Sequence, residues 1–164
     1  IPKCSITEAA GYVIQALRET KADKAAIDTV GLGAGVYDTL REQGYPVIEA
    51  VAGDTAMESS DYANARAEWY GLLRNDCESG NIDLDESNED LTAQLSDIKW
   101  KPDSKGRLVI ESKEDMMKRG VASPDDADAV AMTYCRGTPV PKILTPSDVG
   151  SRRGMFEKPA KMRW

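Results

Sequence analysis

Residues 24–53 confine this chain to a narrow set of folds. "KAAIDTV" is a β-favouring run that carries Asp28 near its end, and Gly31, Gly33 and Gly35 then turn the chain. "GVYDTLREQG" has helical spacing with Gly44 as its stop, and "PVIEAVAG" is a second β-favouring run. Upstream, "SITEAAGYVIQAL" opens with Ser5 and Glu8 in capping-box spacing, after which Ile6, Ala9, Val13 and Leu17 recur at helical intervals. Helix, strand, helix, strand with short joins calls for an α/β sheet containing at least one parallel crossover.

The rest of the chain continues the mixture. A helix is expected from about Asp61, with Tyr62, Trp69, Leu72 and Leu73 near one face and Gly80 as its end, and "SNEDLTAQLSD" is a shorter one. "IKWKPDSKGRLVIES" alternates, turns through Pro102 to Gly106 and alternates again, the pattern of a hairpin. "SKEDMMKRG" is a brief helix with Ser112 and Asp115 at its start. "SPDDADAVAMTYC" is the last, with Ser123 as N-cap and Pro124 at the first helical position. Four prolines after Gly137 break any period, so the expected organisation is one domain, 1–137, and a basic, proline-containing, loosely attached tail, 138–164.

What the chain lacks limits its chemistry. It has no histidine in 164 residues, which removes histidine bases, nucleophilic triads and imidazole ligands. Cys4, Cys77 and Cys135 are odd in number, scattered and without a CxxC pair, so they read as reduced thiols. No apolar stretch approaches the roughly 18–20 residues that span a bilayer, and nothing at the start resembles a charged-then-apolar signal segment; a soluble, intracellular protein is expected. The net charge of −7 is unevenly spread. Every charged residue between Asn75 and Asp97 is acidic, whereas Lys99 to Arg119 carries seven bases against four acids. An acidic protein of this kind can still offer a positive strip to a phosphate backbone.

Two readings compete at the glycines. A dinucleotide fingerprint requires G-x-G-x-x-G, but Val36 stands where the third glycine belongs. Glu49 falls near the distance of a ribose-binding acid, yet Asp28 ahead of the glycines opposes a pyrophosphate. Asp28 itself either hydrogen-bonds its own turn or, at the carboxyl end of a strand, holds a cation. Asp125 and Asp128 lie three apart on one helix and share a face, which continues through Ala131, Met132 and Cys135. An acid heading an apolar stripe needs a cation or an arginine to compensate it. Asp126 suits the helix dipole. Carboxylates without imidazole or thiolate partners favour hard ions such as Mg²⁺ or Mn²⁺, and a pair of these suits phosphodiester hydrolysis.

The strings "IDTVGLGAGVYDTLREQGYPVIEAV", "YANARAEWYGLL" and "DSKGRLVIESKEDMMKRGVASPDDADAVAMTY" together resemble the C-terminal nuclease domain of the phage terminase large subunit, from about Ser5 to Tyr134. The resemblance implies a ribonuclease-H-like mixed sheet flanked by helices, related to RuvC-type resolvases. It also implies a metal-dependent endonuclease that cuts concatemeric double-stranded DNA during viral packaging. Asp28, Asp125 and Asp128 then match the catalytic, metal-binding acids, with Mg²⁺ or Mn²⁺ in a two-metal site. Lys105, Arg107 and Lys113 are expected beside DNA phosphates, and Asn64 and Arg66 as packing and polar support. The implied partners are a portal protein, a small terminase subunit and an ATPase domain of the same polypeptide, in the cytoplasm of a bacterial host. The family's first catalytic aspartate lies on a strand ahead of the opening helix. The chain is therefore expected to lack the N-terminal strands, to leave a sheet edge exposed and to bind metal weakly alone. A noncatalytic DNA- or portal-docking module is the alternative.

Overall fold

The structure, a computed structural model, describes residues 4–137. The basic tail, 138–164, lies outside them. Helix α1 (Ile6–Thr20) begins at the expected capping box: the Glu8 N–H donates to Ser5 Oγ at 3.2 Å, and the Ser5 N–H donates to Glu8 Oε2 at 2.7 Å. Strand β1 (Ala25–Asp28), helix α2 (Gly33–Glu42) and strand β2 (Val47–Ala50) form the parallel crossover. Ala25 pairs with Val47 and Asp28 with Ala50.

Alternation along β2 separates two cores, because successive side chains leave opposite faces of a strand. Val47 joins Ala10, Tyr37 and Leu40 beneath α1 and α2. Ile48 and Ala50 turn the other way, onto Trp69, Tyr70 and Leu73 of α3 (Ala65–Ser79) and Ala127 and Ala131 of α6 (Asp125–Met132). The N-terminal half of α3 is buried on several sides, from Ala65 through Leu73 with Arg66 and Leu72 partly open, so it is the central helix. Between α3 and α6 come α4 (Glu89–Asp97), the hairpin β3 (Trp100–Pro102) and β4 (Leu108–Ile110), and α5 (Lys113–Lys118).

Three expectations are corrected. The strands do not join in one mixed sheet; among the described residues they make a two-stranded parallel sheet and a two-stranded antiparallel one. The hairpin instead meets the segment before α3 through a single parallel bridge, Tyr62 to Leu108. Tyr62 therefore lies outside the helix, and α3 starts at Ala65, where Asn64 Oδ1 accepts the Ala67 N–H at 2.9 Å. Gly71 leaves room for the Tyr62 ring that a side chain would fill. Finally, Pro124 rather than Ser123 is the residue preceding α6, and it offers no cap of its own. Among the described residues, the second edge of β1 carries no strand, and no helix is long and apolar enough to cross a membrane.

The glycine spacing has a packing explanation. Gly31 adopts φ +72°, the left-handed region that glycine enters without penalty. Gly33 starts α2 against the backbone of β1, where an added Cβ would overlap the Asp28 carbonyl oxygen. Gly35 receives the Ile6 side chain of α1. We expect Gly33→Ala to lower stability by about 1–3 kcal/mol or more through overpacking. Gly11→Ala, on an open face of α1 with no neighbour within 4 Å, should instead raise it by roughly 0.5–1 kcal/mol. Urea unfolding midpoints of the two variants check the pair.

Candidate metal and nucleic-acid site

Asp28 serves its own turn and also faces a cavity. As the last residue of β1, it accepts the Val30 N–H on Oδ1 at 2.9 Å, which closes the turn before Gly31. It is exposed, and it lines a cavity of about 90 Å³ together with Arg66, Tyr70, Lys113 and Asp128. Ala50 and Ala52 floor that cavity, small enough to leave the space open. Asp28 and Asp128, a hundred residues apart in sequence, thus share one pocket.

Asp128 is the most constrained acid of the site. Its side chain is 18% exposed, and three donors converge on it. Arg66 Nε donates to Oδ1 at 3.0 Å, the Tyr70 hydroxyl to the same oxygen at 2.8 Å, and Lys113 Nζ to Oδ2 at 2.9 Å. Arg66 Nη2 also stands 3.0 Å from Oδ1 but off the hydrogen-bond axis, so it contributes charge without a directed bond. Burial alone would raise the Asp128 carboxyl. The Lys113 bond, the Arg66 charge and the Tyr70 bond outweigh it and hold the group below the ordinary carboxylate range. Burial, then the Asp128 charge, pushes the Tyr70 hydroxyl far upward, so it donates at any working pH.

Arg66 is fixed from behind. Its Nη1 donates to the Glu111 carbonyl at 2.8 Å, just past β4, and the guanidinium lies 5.2 Å from the centre of the Tyr70 ring. Arg119 in turn forks onto the Glu111 carboxylate at 2.8 and 2.6 Å and bonds the Asp97 carbonyl at 2.9 Å. The hairpin, α4 and the end of α5 are therefore tied to the residue that orients Asp128. Arg66 is thus more than the polar support expected of it: it is the arginine that an acid heading an apolar stripe requires, and that requirement is the signal in the sequence that points to it.

The other predicted residues divide. Asp125 is mostly exposed, accepts from Ser123 Oγ at 2.6 Å and stands 3.8 Å from Lys113 Nζ, and it is not part of the cavity wall. Lys113 therefore bridges the Asp125 and Asp128 pair rather than standing free. Arg107 is folded back onto Asp103 within the hairpin turn, with Nε at 2.9 Å and Nη2 at 2.8 Å, while Lys105 is exposed at the tip. Sequence reasoning missed Gln94 entirely. From α4, its Oε1 accepts the N–H groups of Asp126 and Ala127 at 2.9 and 3.1 Å, which supplies the cap that Pro124 and Ser123 do not.

The donor chemistry fits a hard divalent ion. The ionised Asp128 carboxylate offers about four acceptor positions, and three directed donors occupy it, leaving one. Lys113 is half-exposed and can leave Oδ2, whereas Arg66 is enclosed. Among the described residues, no group of three or more cysteines, aspartates or glutamates is close enough to hold one ion.

Solved structures of the nuclease domain of the large terminase subunit gp2 of bacterial virus Sf6 share this fold. A mutant of that domain with manganese and beta-thujaplicinol gives a TM-score of 0.62 at 20% identity, covering 79% of this chain and 73% of that one. The mutant with manganese gives 0.61 at 21%, covering 82% and 76%. The nuclease domain itself gives 0.61 at 21%, covering 78% and 72%. The mixed α/β architecture expected from the sequence, small sheets flanked by helices, is the architecture these neighbours share. The chain matches no protein-family model and no curated protein sequence.

The depressed Asp128 carboxyl carries a stability signature. Its contribution is full above the unfolded value of 3.8 and is lost as pH falls through the lower folded value. Asp128→Asn should cost about 1.5–3 kcal/mol at pH 7. The gap to the native chain should hold down to about pH 4 and shrink below it, as read from urea unfolding across that range.

Proposed function

We propose that this chain is a metal-dependent DNA endonuclease domain of a phage packaging terminase, with Asp28 and Asp128 as its metal-binding carboxylates. One observation carries the reading: the acid closing β1 and the buried acid of α6 line a single pocket, in a fold shared with manganese-bound nuclease domains. Asp125, linked to Asp128 by their common contact with Lys113, would add a further carboxylate to hold the ion. Mg²⁺ or Mn²⁺ held by these carboxylates, alone or as a pair, would supply an acidified water and charge neutralisation at the scissile phosphodiester.

The protein's own residues do the positioning. Arg66 and Tyr70 hold Oδ1 of Asp128 and leave Oδ2 turned toward Lys113, so the carboxylate presents one defined oxygen. Lys113 balances the paired acids, and with a cation held there its ammonium group would be available to a phosphate oxygen of the substrate. Lys105 at the hairpin tip, with Arg107 beside it, approaches the backbone of double-stranded DNA. The substrate is concatemeric viral DNA, handled in the bacterial cytoplasm together with an ATPase domain of the same polypeptide, a small terminase subunit and a portal protein.

Plasmid nicking in Mn²⁺ by the full-length polypeptide that carries this domain tests the assignment. Asp28→Asn and Asp128→Asn should each reduce it by at least about 100-fold, with DNA retention on a gel unchanged. Asp125→Asn, altering an exposed side chain, should cost much less. Nicking that persists in both Asp28→Asn and Asp128→Asn removes these residues from the chemistry.

A further inference from the structure

Trp69 lines a second cavity as well as the acid pocket. Its volume is about 120 Å³, and its acidic lining comprises Glu49, Asp54 and Glu68, with Arg136 as the one base. Glu68 is the decisive residue. It is 3% exposed, it belongs to the central helix, and its Oε2 accepts the Met57 N–H at 2.7 Å. Its Oε1 is buried with no hydrogen-bond partner among the described residues. A carboxylate oxygen left without a donor inside a protein is costly, so a donor belongs there.

The surroundings specify which donor. Three acids against one base disfavour an anion, and among the described residues no three acids gather closely enough for a metal ion. Arg136 does not fill the place: it is half-exposed and makes a loose 4.0 Å contact with Glu58 outside. A planar cation with several N–H groups suits an aromatic wall and a buried carboxylate together. Met57, 68% exposed and part of the cavity lining, adds the flexible apolar contact that protein interfaces favour. We propose that this cavity receives an arginine side chain presented by a protein partner, with Glu68 Oε1 as the acceptor of the guanidinium. This is a docking site separate from the carboxylates that face DNA, and it stands whether or not those carboxylates cut.

A ¹H–¹⁵N NMR titration of the full chain tests it, using an end-blocked Gly-Arg-Gly peptide and its citrulline counterpart, which keeps the shape and loses the charge. The arginine peptide should shift the Met57 and Glu68 amides saturably, and the citrulline peptide should not. Glu68→Gln keeps the size and the acceptor for Met57, and should weaken binding by at least about tenfold. Arg136→Gln removes a like charge from the rim and should tighten binding. Equal response to both peptides, no saturable shift, or full affinity in Glu68→Gln overturns the proposal. If Glu68→Gln fails to fold, Arg136→Gln decides: affinity that is unchanged or weaker overturns it.

Discussion

A carboxylate placed inside a protein must be compensated, and the burial of Asp128 sets that demand here. Arg66, Tyr70 and Lys113 meet it from α3 and from the start of α5, and the Glu111 carbonyl holds Arg66 from the far side. Replacing such a group with a hydrocarbon often stabilises a fold, so an enclosed acid with this many donors is weak evidence for stability and stronger evidence for use. The ties also give a role to a small hairpin whose first strand is exposed and whose second packs on α3. It is the scaffold behind Arg66, and through Arg119 it reaches α4 as well.

The opposite wall is made by backbone rather than charge. Asp28 ends a strand whose next turn needs a left-handed glycine, and α2 returns so closely that only a second glycine clears the Asp28 carbonyl. The acid is thereby held at the carboxyl end of the parallel pair, the place where open α/β sheets gather their ligands. The same three glycines that suggest a nucleotide fingerprint are each accounted for by a turn, a close approach and a helix contact.

Local features were legible in the sequence, and nonlocal ones were not. The Ser5–Glu8 box, the crossover, the hairpin turn and the end of α3 at Gly80 all arise within a few residues, and all are present. Tyr62 misled because helical spacing continues through it, whereas its backbone pairs with Leu108 and its ring seats on Gly71. The sharing of a face by Asp125 and Asp128 was visible, but their unequal burial depends on what packs against α6, which periodicity does not report. The Gln94 cap and the enclosed Glu68 have no local signature either. Each pairs with residues eleven to thirty-three positions away.

The Gln94 contact has a consequence for local stability. An eight-residue helix is too short to persist in isolation, and α6 has no side-chain cap from its own flanks. Its first amides depend on a glutamine some thirty residues earlier, on α4. The first turn of the segment bearing Asp128 is therefore only as stable as the docking of α4, so loosening the acidic stretch before it loosens the acid as well.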